Sequence, residues 1–399
     1  MNAEFGDGYC RMPMSSRLSG RVSTAGAYLG SAIRGLPNLR INCETLVQRL
    51  VFERGRCVGA VAVSGGIVRQ HRARHVILCA GAIHSPAILL RSGVGPERQL
   101  RSLAIPLVHD SVAVGASLQN HPIVYLATHL RPQARQSELI RPQFSTSLRY
   151  SSGVGPGLHG DMSMLVVAKS SWHGLGQAVG GLGVSLLSPF SRGDLSLVSS
   201  DPQVPPRIRF GFLADERDRS RMIDGLGLAV SLLTDEAVKP VRHELFATGY
   251  SRVVRRLNEP GVRNVLVTRA LAAMLDGPPW MRRAMIRYGI AGGDPDEGRM
   301  ADHAWLRRTA ATRTFGTYHP AGTCRMGEAG ADASVVDERC SVIGVEGLSV
   351  VDASIMPTIV RGNTNVPVVM LAERASDLIL HGRGAAPDQP DAVVGAGSR

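Results

Sequence analysis

The sequence predicts an α/β chain with an α+β portion: pieces of a parallel-sheet domain at both ends, and an antiparallel-sheet domain between them. Three observations predict it. Residues 75–79 read as a continuous apolar run, as a strand buried in a parallel sheet requires, and Ala80-Gly81 then leads into a helical pattern. From residue 123 to about 308 that pattern loosens into short strand-like alternation and one long helical spacing. After 308 the first kind of pattern returns. A short apolar strand run ends ahead of Asp352, and an Asn two residues before Pro367 opens a helix.

The elements follow from local chemistry. Ser23 is placed to cap a short helix through residue 29. Residues 38–42 read as a short strand, and 46–53 alternate up to a turn at Gly55. Residues 58–63 and 68–70 flank Gly65-Gly66, which signals a hairpin. In the next helix Ser85 is expected to cap, Pro86 to occupy the first turn, and Gly93 to stop it. Residues 97–103 suggest a helix and 105–109 a strand. Residues 193–198 alternate. Met222, Leu226, Leu228, Ala229 and Leu232 recur at helical spacing within 215–233. Pro278-Pro279 marks a break. The expected divisions are 1–115, 116–310 and 311–382, the last returning to the first domain, with a disordered Ala/Gly/Pro-rich tail over 383–399.

Composition narrows the function. The chain has 399 residues and a net charge of +12, yet only Lys169 and Lys239 are lysines. The arginines are scattered rather than clustered, which argues against nucleic acid as a partner. No apolar run approaches the ~20 residues of a membrane helix. The first residues carry neither a basic n-region nor an apolar h-region, so a cytoplasmic protein without a signal peptide is expected. The six cysteines include no C-x-x-C pair, which suggests neither zinc nor a dithiol. Cys79, ending an apolar strand, is expected to be a buried thiol.

The most informative stretch runs from Thr317 to Arg374. His319 sits on a Pro/Gly turn, so a loop displays its ring. Three blocks follow in order: His319 to Met326, Asp352 to Pro357, and Gly362 to Pro367. They resemble the His-Pro-x-Gly-Thr-x-x-Met, Asp-Ala/Gly-Ser-x-x-Pro and Gly-Asn-x-Asn-x-Pro blocks of the glucose–methanol–choline (GMC) family of FAD-dependent alcohol oxidoreductases. Residues 20–29 resemble that family's Gly-Arg-x-Ser-Thr-Ala stretch, and 80–96 its second signature. Residues 114–122 resemble its Val-Gly-x-Asn-Leu-x-Asp-His block, with Ala116, Ser117 and Asn120 departing from it.

The resemblance implies an FAD/NAD(P)-binding-like parallel domain, FAD as cofactor and a small-molecule alcohol as substrate. It implies His319 as the base that takes the hydroxyl proton. A neutral imidazole with an ordinary pKa of ~6.5 suits that role. Asn365 would orient the developing alkoxide as a donor, and it aligns the chain with choline dehydrogenase-like members of His–Asn type. Cofactor contacts are implied at Val47, Ala80, Gly81, Asp352, Ala353, Asn363, Asn365, Val366 and Pro367. His84 and His121 are taken as structural.

One block of the family is not matched: no G-x-G-x-x-G follows a strand and opens a helix here. The expectation is therefore a truncated member, or one whose βαβ unit comes from a second chain, and weak FAD binding by this chain alone. The competing readings are a non-catalytic remnant and a basic anion-binding protein.

Overall fold

The computed structural model describes residues 6–381 apart from 18–19, 138, 141, 156–158, 250–251, 291–296 and 329–332. The expected tail at 383–399 lies outside the described residues. Among the described residues no helix is long and apolar enough to cross a membrane.

The first core joins the two ends of the chain. Strands Thr45–Glu53, Arg56–Ser64 and Ile67–Arg72 form an antiparallel sheet. Val76–Leu78 pairs in parallel with Leu348–Val350, so Ile77 lies opposite Ser349. Leu50, Leu78, Leu89, Leu90, Val336, Leu348 and Ile355 are buried together there. Burial of such side chains contributes roughly 1.5–3 kcal/mol each, and that burial holds the C-terminal segment against the helix Gly81–Arg91.

That helix begins earlier than its sequence suggests. Ala80, not Ser85, precedes it, and Pro86 lies inside. An interior proline cannot donate to the carbonyl four residues back. Here that carbonyl, Ala82 O, accepts instead from Thr323 Oγ1 at 2.7 Å. Ser85 Oγ is engaged elsewhere: it accepts from Ala80 N at 3.0 Å and donates to Asp352 Oδ2 at 2.5 Å.

The second core lies under a seven-stranded antiparallel sheet. Its main path runs Gly8–Arg11, Thr146–Tyr150, Met162–Val167, Val179–Leu186, Pro122–Leu130, Arg242–Thr248, with Phe315–Gly316 pairing to Pro122–Leu130. Gly8–Arg11 thus joins the antiparallel sheet, although a boundary at 115 assigned it to the first domain. Its backbone pairs in register with residues 146–149, and pairing outweighs sequence position. Val124 and Leu126 face the helix Glu216–Thr234, whose Met222, Leu226, Ala229 and Leu233 share one buried face. A fully buried Arg221 ties the layer together, reaching Asp161 at 2.6 Å and Asp218 at 2.5 Å. Ala127, Val179 and Phe246 pack on the opposite face with Leu275 and Ile286. At Gly183 a Cβ would come within 2.4 Å of the Tyr125 ring, so a larger residue would have to displace that ring.

Two expected strands do not form. Residues 38–42 pair with no strand among the described residues. In 105–109 only His109 is in a strand, His109–Asp110, because Pro106 cannot donate to a ladder. Cys79 is exposed rather than buried: the parallel pair leaves one flank open, and Ile77 beside it is 45% exposed.

Candidate functional site

The site forms where three separate chain segments meet. The first is the turn Ala80-Gly81. Gly81 has φ +80, and nothing lies within 4 Å of where its Cβ would be. The helix behind it has no side-chain cap and no acidic residue in its first turn. Its positive dipole end is instead met by a carboxylate from a distant segment. Gly81 N donates to Asp352 Oδ2 at 2.9 Å.

The second segment is 352–360. Asp352 is 5% exposed, and its other oxygen accepts from Ser354 N at 2.7 Å. Its carboxylate is thus occupied by Gly81, Ser85 and Ser354, and it acts on the turn rather than reaching outward. Ala353 is half-buried, and its carbonyl accepts from Gly322 N at 3.1 Å. Cys324 N and Met326 N continue that stitching to Ser354 and Ile355.

The third segment is 317–323, which carries His319. Gln119 and Ala321 exchange a pair of 2.9 Å backbone bonds, so this loop runs beside the 119–122 stretch. His319 N donates to Asn120 Oδ1 at 3.1 Å. His319 Nδ1 lies 3.0 Å from Thr317 Oγ1 and 3.1 Å from His121 Nδ1. The two imidazoles stand edge to face at 83°. His319 Nε2 has no hydrogen-bond partner among the described residues. Tyr318, just before it, holds φ +64 with its side chain 77% exposed, a conformation that costs energy for a tyrosine.

Burial lowers the His319 pKa below the ordinary histidine value. His121 is 1% exposed. Burial, and then the neighbouring His319, push its pKa down to about 4 despite the Val360 and Leu187 carbonyls that act on its ring. At neutral pH both rings are uncharged, and an uncharged imidazole can accept a proton.

The remaining sequence candidates are placed less tightly. Asn365 opens the helix Asn365–His381, with Pro367 in its first turn. Asn363, Asn365 and Val366 are exposed, and Pro367 is half-buried. Val368 and Leu371 pack against Ala321 and Met356, which brings this helix to the His319 loop. No hydrogen bond joins Asn365 to His319 among the described residues. Val47 is half-buried against the first core, beside an irregularity in its strand pairing. His121 was set aside on sequence grounds, yet it touches His319 directly. The available signal was the repeat of His-Pro at 121–122 and 319–320.

Comparison with known proteins agrees with this architecture. Two family models described as GMC oxidoreductase match residues 1–123 and 189–372. The 5-(hydroxymethyl)furfural oxidase of Methylovorus sp. (strain MP688) is 34% identical over 382 residues, 95% of this chain and 64% of the relative. The oxygen-dependent choline dehydrogenase of Pseudomonas aeruginosa (strain LESB58) is 31% identical, covering 92% of this chain and 61% of the relative. The chain thus spans less than two thirds of the length of these relatives. Among solved structures, pyridoxine 4-oxidase from Mesorbium loti superposes with a TM-score of 0.74 at 23% identity, over 94% of this chain and 65% of that one. Formate oxidase from Aspergillus oryzae RIB40 superposes at 0.73 and 20% identity, over 94% and 66%.

Proposed function

The chain belongs to the GMC oxidoreductase family, and from that premise we propose that it oxidises a small alcohol to an aldehyde or ketone with FAD as cofactor. One observation carries the proposal. His319 is uncharged at neutral pH, anchored through Nδ1 by Thr317 and His121, and has Nε2 unengaged among the described residues.

The residues fit the cofactor. The exposed Ala80 and the open face of Gly81 would line a pyrophosphate, with Asp352 holding that turn and Ala353 beside it in the proposed contact set. Val47, Asn363, Val366 and Pro367 complete the proposed contact set. FAD, when bound, accepts the hydride from the alcohol carbon. His319 Nε2 takes the hydroxyl proton as that carbon–hydrogen bond breaks. The Asn365 amide, at a helix N-terminus, would donate to the alkoxide. Burial keeps His319 unprotonated, which preserves its capacity as a base.

Two finer points belong to the same proposal. A parallel strand pair is ordinarily covered on both faces, whereas Ile77 and Cys79 are exposed here. That supports a further polypeptide unit, in this or a second chain, packing on this flank and completing the cradle. Six free cysteines support a reducing compartment such as the cytoplasm.

The test is anaerobic reduction of the FAD-loaded protein by a panel of 5-hydroxymethylfurfural, choline and pyridoxine. Bleaching of the flavin absorbance by at least one alcohol is expected. A protein that retains FAD and is bleached by none of these and no other primary alcohol would overturn the proposal.

A further inference from the structure

We propose that His121 is a positioning residue that sets the tautomer of His319, keeping the ring proton on Nδ1 and the lone pair on Nε2. The inference rests on the reading of His319 as the base. The bond to Val360 selects one arrangement. His121 Nε2 lies 3.0 Å from the Val360 carbonyl oxygen, which can only accept. That nitrogen therefore carries a hydrogen. An uncharged imidazole has one ring hydrogen, so His121 Nδ1 is an acceptor. His319 Nδ1, 3.1 Å away, must donate to it.

Thr317 agrees with this direction. Its hydroxyl is placed to donate to the His121 carbonyl at 3.3 Å, which turns its lone pairs toward His319 Nδ1 at 3.0 Å. Both groups facing His319 Nδ1 are thus acceptors, and the proton is held there. Burial of His121, with its pKa at about 4, keeps it uncharged and the chain of bonds intact at neutral pH. The order is Val360 carbonyl, His121, His319, then an unshared lone pair on Nε2.

The arrangement also changes strength during the reaction. When Nε2 takes a proton from an alcohol O–H, His319 becomes an imidazolium. Its Nδ1–H bond to His121 then becomes charge-assisted, which is the stronger kind. An interaction that strengthens as the proton moves lowers the barrier rather than only the ground state.

The test is ¹⁵N NMR of the histidine ring nitrogens in the full chain, with His319→Asn used for assignment. A protonated Nδ1 and an unprotonated Nε2 are expected for His319 at neutral pH. His121→Phe keeps a ring but removes the acceptor, and the proton should move toward Nε2. In His121→Asn the side-chain oxygen falls near the former Nδ1 and should retain the original tautomer. In turnover, His121→Phe should lower kcat by roughly tenfold or more with little change in KM, and His121→Asn should recover most of it. An unprotonated Nδ1 in the unaltered protein, or the same tautomer in His121→Phe, would overturn the inference. If the tautomer is as stated and no alcohol reduces the flavin, the proposed function fails while this assignment stands.

Discussion

Gly81 donates its backbone N–H to Asp352 across 271 positions of sequence, at 2.9 Å. This bond joins a turn that follows the strand Val76–Leu78 to the residue just beyond its parallel partner, Leu348–Val350. A turn with a positive φ is useful to a ligand only if it is held, and Asp352 holds it through Gly81 N and Ser85. Asp352→Ala leaves the part-buried Gly81 N and the buried Ser354 N without their acceptor. A loss of roughly 1–3 kcal/mol is expected, read by urea unfolding, with weaker FAD retention in the same protein. Unchanged stability would show that the network is dispensable.

Thr323 and Pro86 form a second coupled pair. Thr323→Val keeps the side-chain shape and leaves Ala82 O unsatisfied, for an expected cost of about 1–2 kcal/mol. Pro86→Ala restores the helix donor to the same carbonyl. In a double-mutant cycle the Thr323→Val penalty should shrink in the Pro86→Ala background. Additive effects would mean that the carbonyl finds water in the single variant.

For catalysis, His319→Ala is expected to lower the rate of flavin reduction by ~10²–10⁴-fold with a much smaller change in substrate affinity. Asn365→Ala should cost less, because a donor contributes only part of the charge stabilisation. Protonation of Nε2 removes the base, so kcat/KM should fall as pH drops through the His319 pKa. Burial lowers that pKa, so the acid limb should lie below the ordinary histidine value of ~6.5. Stopped-flow reduction across pH checks this, and an acid limb above that value would contradict the geometry.

His121 and His129 make stability pH-dependent. Both have folded pKa values lowered to about 4, chiefly by burial, against 6.5 when free. The folded state therefore binds fewer protons than the unfolded chain below pH 6.5, and stability should fall as pH drops from there toward 4. His121→Phe should flatten part of this slope in denaturant melts. An unaltered slope would show that His121 is protonated in the folded protein.

Much of the local structure was legible. The Gly65-Gly66 hairpin, the helix at 215–233 and the Ser23 cap follow from turn chemistry and apolar spacing, and each forms as expected. The three C-terminal blocks pointed to the family because they carry residue identities in fixed order. Helix start and strand partner were less legible. The start of the helix at Gly81 depends on Asp352 engaging Ser85 and on Thr323 satisfying the carbonyl that Pro86 leaves free.

The sequence by itself determined what each short segment could become, because a hairpin, a cap or an amphipathic helix depends on neighbours within a few positions. Only the tertiary structure decided that Gly8–Arg11 would pair with residues 146–149, that Asp352 would bind Gly81, and that His121 would meet His319. Such pairs leave no periodic trace along the chain. They arise when burial of two separate cores brings distant backbone together, and buried polar groups then take whichever partners lie within hydrogen-bonding reach.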